Sequence, residues 1–118
     1  MNGPVADALS ASPELEGKYT AFRDAAHRAL GEDLTAQVRH AVAEVHGIDS
    51  DPPTGQASQA VLAYVRRIPF EHTAISDEEA ARIVDEIGEE RYVALSVVAA
   101  LADAECRARL VDLPGLAR

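Results

Sequence analysis

The chain has 118 residues, a formal charge of -9, 47% hydrophobic and 26% charged residues, which suits one folded domain and excludes a disordered or collagenous chain. With 20 acidic residues against 11 basic ones, no nucleic-acid partner is expected, because such affinity comes mainly from Lys and Arg neutralising phosphates. No apolar run reaches the roughly 18–20 residues that span a bilayer, and no basic cluster precedes an apolar stretch at the start, so no membrane association and a cytoplasmic location are expected.

Alanine is abundant, aromatics make up 4% and Lys18 is the only lysine. Alanine favours helix, and no segment alternates Val, Ile, Thr and aromatics in the manner of a strand. The expected fold class is all-α, a compact bundle of about five helices in a single domain over 12–118. Residues 1–11 show no periodicity and are expected to form a flexible N-terminus.

Ser12-Pro13-Glu14 is the first helix start: Ser12 as N-cap, Pro13 at the first helical position and an acid in the first turn. Leu15, Tyr19, Phe22, Ala26 and Ala29 follow at helical spacing, and Gly31 is the expected C-cap. A second helix, capped by Asp33, runs from Leu34 to His46. Pro52 and Pro53 mark a linker over Ile48–Gly55. A third helix spans Gln56–Ile68, with Pro69 ending it. Ser76-Asp77-Glu78-Glu79 is a capping box opening a fourth helix that closes at Gly88. The fifth runs from Glu89 to about Asp112, before Pro114 and Gly115. Its segment Tyr92–Ala102 is apolar nearly all round, so it is expected at the centre of the bundle. A chain this small has difficulty covering such a segment alone, and a homo-oligomer is expected.

These elements resemble the carboxymuconolactone decarboxylase / alkylhydroperoxidase D-like family. The resemblance is carried by Ala57–Ile68, by Ile75-Ser76-Asp77-Glu78 through Gly88, and by Glu89-Glu90-Arg91-Tyr92 through Arg107, Leu110 and Leu113-Pro114-Gly115, with a looser match from Phe22 to Ala41. It implies an alkylhydroperoxidase D-like fold. Redox members of that family carry a Cys-x-x-Cys-x-x-x-His motif, in which one thiolate attacks peroxide and the second thiol resolves the disulfide. Counted back from Gly31, those positions hold Glu16, Tyr19 and Arg23 here. The resemblance thus implies a shortened member without peroxidase activity, and no cofactor is expected.

Several constellations carry possible chemistry. Cys106 is the only cysteine, so neither an internal disulfide nor a paired-thiol centre can form; it reads as a small buried hydrophobe. His40 and Glu44 share a helix face, but no further ligand pair completes a metal site, and a solvated surface pair is the expectation. The acidic series from Asp77 to Glu90 reads as a solvated face, and His72 as a lone loop histidine. On the first helix, Asp24, His27 and Arg28 form one group, and Glu16, Tyr19 and Arg23 form another beside it. A carboxylate, a phenol and a guanidinium there suit acid/base work or the anchoring of a carboxylate-bearing ligand; an ordinary surface set with Tyr19 in the core is the competing reading.

Two functions follow. In the first, the protein performs non-redox acid/base chemistry on a small organic acid or lactone-like metabolite, with Glu16 and Tyr19 moving protons, Arg23 anchoring the anion and His27 as a second base. In the second, it is a catalytically inactive ligand-binding or protein-interaction module of the same fold.

Overall fold

The computed structural model describes residues 3–111. They form an all-α bundle: α1 (Pro4–Ala8), α2 (Pro13–Leu30), α3 (Glu32–Val45), α4 (Gln59–Glu71), a single 3-10 turn (His72–Ala74), α5 (Asp77–Ile87) and α6 (Glu89–Val111). No helix among the described residues is long and apolar enough to cross a membrane. The expected termination at Pro114 and Gly115 lies outside the described residues.

Helix α6 is the axis, and every other α-helix packs on it. Its Leu95, Val98 and Ala99 are completely buried, and they meet Leu30 of α2, Val38 and Val42 of α3, Val61 and Val65 of α4 and Ile83 of α5 in one core. Burying side chains of this size contributes about 1.5–3 kcal/mol each. The burial is one-sided, however. Val93 is 55% exposed and Ala100 is also exposed, so the Tyr92–Ala102 segment is not enclosed all round as its composition suggested.

Two corners are made by single glycines. Gly31, at φ 102°, ends α2 by donating its N–H to the His27 carbonyl at 2.9 Å, and its own carbonyl accepts the first bond of α3 from Thr35. Gly88, at φ 89°, makes the same turn between α5 and α6. Both need a left-handed backbone that a side chain disfavours. Because Gly31 is itself the N-cap, α3 begins at Glu32, and Asp33 lies within its first turn rather than capping it.

The other boundaries also follow from local chemistry. Ser76 Oγ accepts from the Glu79 amide at 3.1 Å, giving half of the expected capping box. The Glu79 carboxylate instead takes a bond from Arg67 at 2.6 Å, tying α5 to α4. Ser58 caps α4 by accepting from the Val61 amide at 3.1 Å, so that helix starts at Gln59. It also continues through Pro69 to Glu71. A proline in the last turn forfeits only its own amide bond, and the Pro69 carbonyl accepts from Arg107 at 2.7 Å.

Within 1–11, expected to be flexible, the structure has a helix. Ala6 and Ala8 of α1 are buried, and α1 packs on α6 and α2. Five residues are too few to hold a helix by propensity; tertiary packing of two alanine methyls holds this one, and that leaves no periodic signal.

Two polar clusters tie the helices together. Tyr64 is buried, with its hydroxyl 2.7 Å from Ser96 Oγ and 3.2 Å from the Tyr92 hydroxyl. Burial pushes its phenol up to about 12. Asp103 of α6 joins His46 Nε2 at 2.7 Å and Arg107 Nε at 3.0 Å. Arg107 also lies over the Phe70 ring at 4.8 Å.

Candidate functional site

Helices α2 and α6 run antiparallel, which places Tyr19 and Arg23 of α2 beside Glu105 of α6, 86 residues on from Tyr19. The Tyr19 hydroxyl donates to Glu105 Oε1 at 2.8 Å. Arg23 reaches the same oxygen at 4.0 Å, and Arg39 of α3 reaches Glu105 Oε2 at 3.5 Å. The Arg23 guanidinium lies 5.8 Å from the Tyr19 ring centroid and pairs with Asp24 at 3.3 Å. The side chains of Arg23 and Glu105 are mostly buried, whereas that of Arg39 is 55% exposed. Three helices thus hold one carboxylate beneath a rim of guanidinium groups.

An open cleft of about 500 Å³ is bounded by Arg23, Asp24, His27, Arg39, Glu105 and Arg109, with the start of α1 along one edge. Three arginines against two acids leave one positive charge in excess while His27 is neutral, within a chain whose total is -9. Arg109 makes no ion pair with another described residue. A second hollow adjoins the first, shares His27 and Arg39, and continues over Thr35 and Ala36 with mostly apolar walls. On the far side of Arg39 a third groove runs past His40, Pro52 and Cys106.

The local electrostatics assign different capacities to the groups. Burial first, and then the hydrogen bond and charge of Glu105, push the Tyr19 phenol far above its ordinary range, so Tyr19 is a fixed donor rather than a proton shuttle at neutral pH. Burial and the nearby Arg39 and Arg23 charges lower His27 from its ordinary 6.5, opposed by Glu105 and Asp24. It is therefore a neutral imidazole near neutrality.

That depression has a consequence for stability. The unfolded chain takes up the His27 proton before the folded chain does, so the contribution is complete above pH 6.5 and is lost as pH falls through the lower folded value. His27→Gln is expected to flatten the decline in urea midpoint below pH 6.5. An unchanged slope would show that the imidazole does not carry that dependence.

The structure brings Arg23 and His27 to the cleft, while Tyr19 meets Glu105 beside it without being part of its lining. Glu16 is partly buried one turn earlier on α2 and is not part of the cleft lining. Reading along the chain missed Arg39, Glu105 and Arg109. For Glu105 and Arg109 the available signal was an acid and a base four apart on one helix; for Arg39 there was none beyond its charge.

The remaining candidates fall elsewhere. Cys106 is 8% exposed, and burial pushes its thiol up, opposite to what a reactive thiolate requires. His40 and Glu44 pair at 3.7 Å, and Glu44 also meets Arg66. His72 is exposed in the 3-10 turn. Among the described residues no three His, Cys, Asp or Glu side chains gather as metal ligands.

No family model, characterised protein or solved structure matches the chain.

Proposed function

We propose that the protein binds a small organic acid by its carboxylate in the cleft between α2, α3 and α6. The observation that carries this reading is the convergence of Arg23, Arg39 and Arg109 with His27 around the single buried carboxylate of Glu105. Guanidinium forks match carboxylate geometry. The local excess of one positive charge matches one carboxylate, whereas a polyanion would meet the repulsion of an acidic chain. Arg39 stands where the charged cleft meets the apolar hollow over Thr35 and Ala36, so a ligand with a carboxylate head and a short carbon body fits both.

The test is a calorimetric and NMR titration with hexanoate, acetate and hexanol. Hexanoate is expected to bind one per chain with Kd below about 1 mM, with acetate weaker and hexanol weaker still. Equal binding of hexanol and hexanoate would remove the carboxylate from the recognition, and no saturable binding of hexanoate would overturn the proposal.

The catalytic form of this function has one support, the neutral imidazole of His27 beside Arg39. A base next to an anchored carboxylate can accept a proton from another position of the bound molecule, the imidazole becoming imidazolium. Tyr19 does not share that role, because its hydroxyl is committed to Glu105. The family resemblance contributes only its expectation of non-redox chemistry.

A further inference from the structure

His27 stands where two hollows meet. It lines both the charged cleft and the apolar hollow over Thr35 and Ala36, and its ring lies within reach of the charges of Arg39, Arg23, Glu105 and Asp24. The ring makes no hydrogen bond with another described residue. Charged groups border the two hollows from three helices: Arg23, Asp24 and Arg28 on α2, Glu32 and Arg39 on α3, and Glu105 and Arg109 on α6. The start of α1 brings only Gly3 and Pro4 to the edge, without a side-chain charge. Histidine is the side chain whose charge ordinarily changes between about pH 5 and 8, and His27 is the only histidine lining the charged cleft.

We propose that the cleft takes up its acid together with one proton: the carboxylate goes to the arginines and the proton to the His27 ring, so the site binds the elements of the undissociated acid as two ions. This coupling rests on the carboxylate binding proposed above and sets its dependence on pH. The empty cleft carries one excess positive charge, and protonating His27 raises that to two. A bound carboxylate lowers either total by one, so the positive charge that opposes an imidazolium in the empty cleft is offset in the filled one. The proton favours the anion, and the anion must favour the proton by the same factor. A volume of about 500 Å³ is roughly 8 Å across, and unit charges within that distance at a protein surface are coupled by about tenfold. The sign follows from proximity alone. His27 is held below its ordinary 6.5, first by burial and then by Arg39 and Arg23, and a bound anion acts against the second cause. Affinity therefore rises as pH falls from 8 toward 5.5. It drops again below about pH 5, where a carboxylic acid takes up its own proton. Above the rising range the ring stays neutral, as the catalytic form of the function requires.

Calorimetric titration of the full chain with hexanoate at pH 5.5, 6.5 and 8.0 tests the coupling, each pH being repeated in two buffers of different ionisation enthalpy to count the protons taken up. Kd is expected to be lower at pH 5.5 than at 8.0 by about threefold or more, with net proton uptake at the two lower values and almost none at 8.0. In NMR the His27 ring signals are expected to titrate about one pH unit higher in saturating hexanoate, the equivalent of a tenfold coupling. His27→Gln is expected to bind hexanoate equally at pH 5.5 and 8.0, without proton uptake. His40→Gln, which alters the histidine beyond Arg39, is expected to keep the parent's pH dependence. Hexanoate binding that is independent of pH and takes up no proton overturns the coupling and leaves the carboxylate binding standing. Uptake that persists in His27→Gln overturns the assignment to His27, and hexanoate binding at no pH overturns both the coupling and the carboxylate binding.

Discussion

Replacing Arg39 and Arg109 together by alanine is expected to weaken hexanoate binding at least 100-fold while leaving the melting temperature nearly unchanged. The two effects separate because of where these side chains lie. Arg39 is half exposed and only 3.5 Å from Glu105, in the range where an ion pair contributes about 0–1 kcal/mol to stability. Arg109 is exposed and has no ion-pair partner to lose among the described residues. Both line the cleft, and a hydrogen bond to a charged group contributes about 1.5–3 kcal/mol. Arg39→Lys keeps the charge but loses the fork, and about a tenfold loss is expected. Arg23 is the wrong residue for this experiment: it is mostly buried against Tyr19 and Glu105, so its removal would damage the bundle and the site together. Calorimetry beside thermal melting distinguishes the cases. Hexanoate binding that survives in the double variant would detach the cleft from the function.

The helix punctuation was largely legible because its chemistry is local. Gly31, Ser76 and Gly88 act where their residue types predicted, since a left-handed turn or a hydroxyl cap needs only its own few neighbours. The exceptions involve distant contacts. Helix α1 exists because Ala6 and Ala8 pack on the body of the bundle. Helix α4 passes Pro69 in a last turn whose free carbonyl is satisfied by Arg107 from another helix. The capping box is half made because Arg67 draws the Glu79 carboxylate away.

The site divides in the same way. Tyr19, Arg23 and His27 follow one another at four-residue steps, so their common face on α2 was readable from spacing alone. What that face meets was not. Glu105 reaches Tyr19 through the antiparallel register of α2 on α6, and Arg39 arrives from α3 after the turn at Gly31. A rotation of either helix by one residue would carry these groups about 100° away. Helical periodicity fixes which residues share a face but leaves open which faces meet. Glu16 shows the converse. It shares a helix with Tyr19 and Arg23, yet the cleft opens beyond its turn.

Removing Glu105 is expected to move stability and affinity in opposite directions. Its carboxylate accepts from the Tyr19 hydroxyl and lies between Arg23 and Arg39, with its side chain 13% exposed. Glu105→Ala leaves the partly buried Tyr19 hydroxyl without its acceptor and takes from the mostly buried Arg23 one of its carboxylate partners, at a cost of about 2–4 kcal/mol, enough to lower Tm by roughly 10 °C or more. The same change removes the negative charge at the floor of the cleft, so a carboxylate ligand meets Arg39 without its internal competitor and shares Arg23 with Asp24 alone among the acids that line the cleft. Hexanoate is expected to bind about tenfold tighter, and by linkage to raise the Tm of the variant more than that of the parent at equal concentration. Glu105→Gln keeps an acceptor for Tyr19 and should lose less stability while still gaining affinity. A ligand entering the cleft would thus replace part of what Glu105 supplies. If Glu105→Ala folds but binds hexanoate no better than the parent chain, the internal carboxylate and the ligand do not compete for the same arginines.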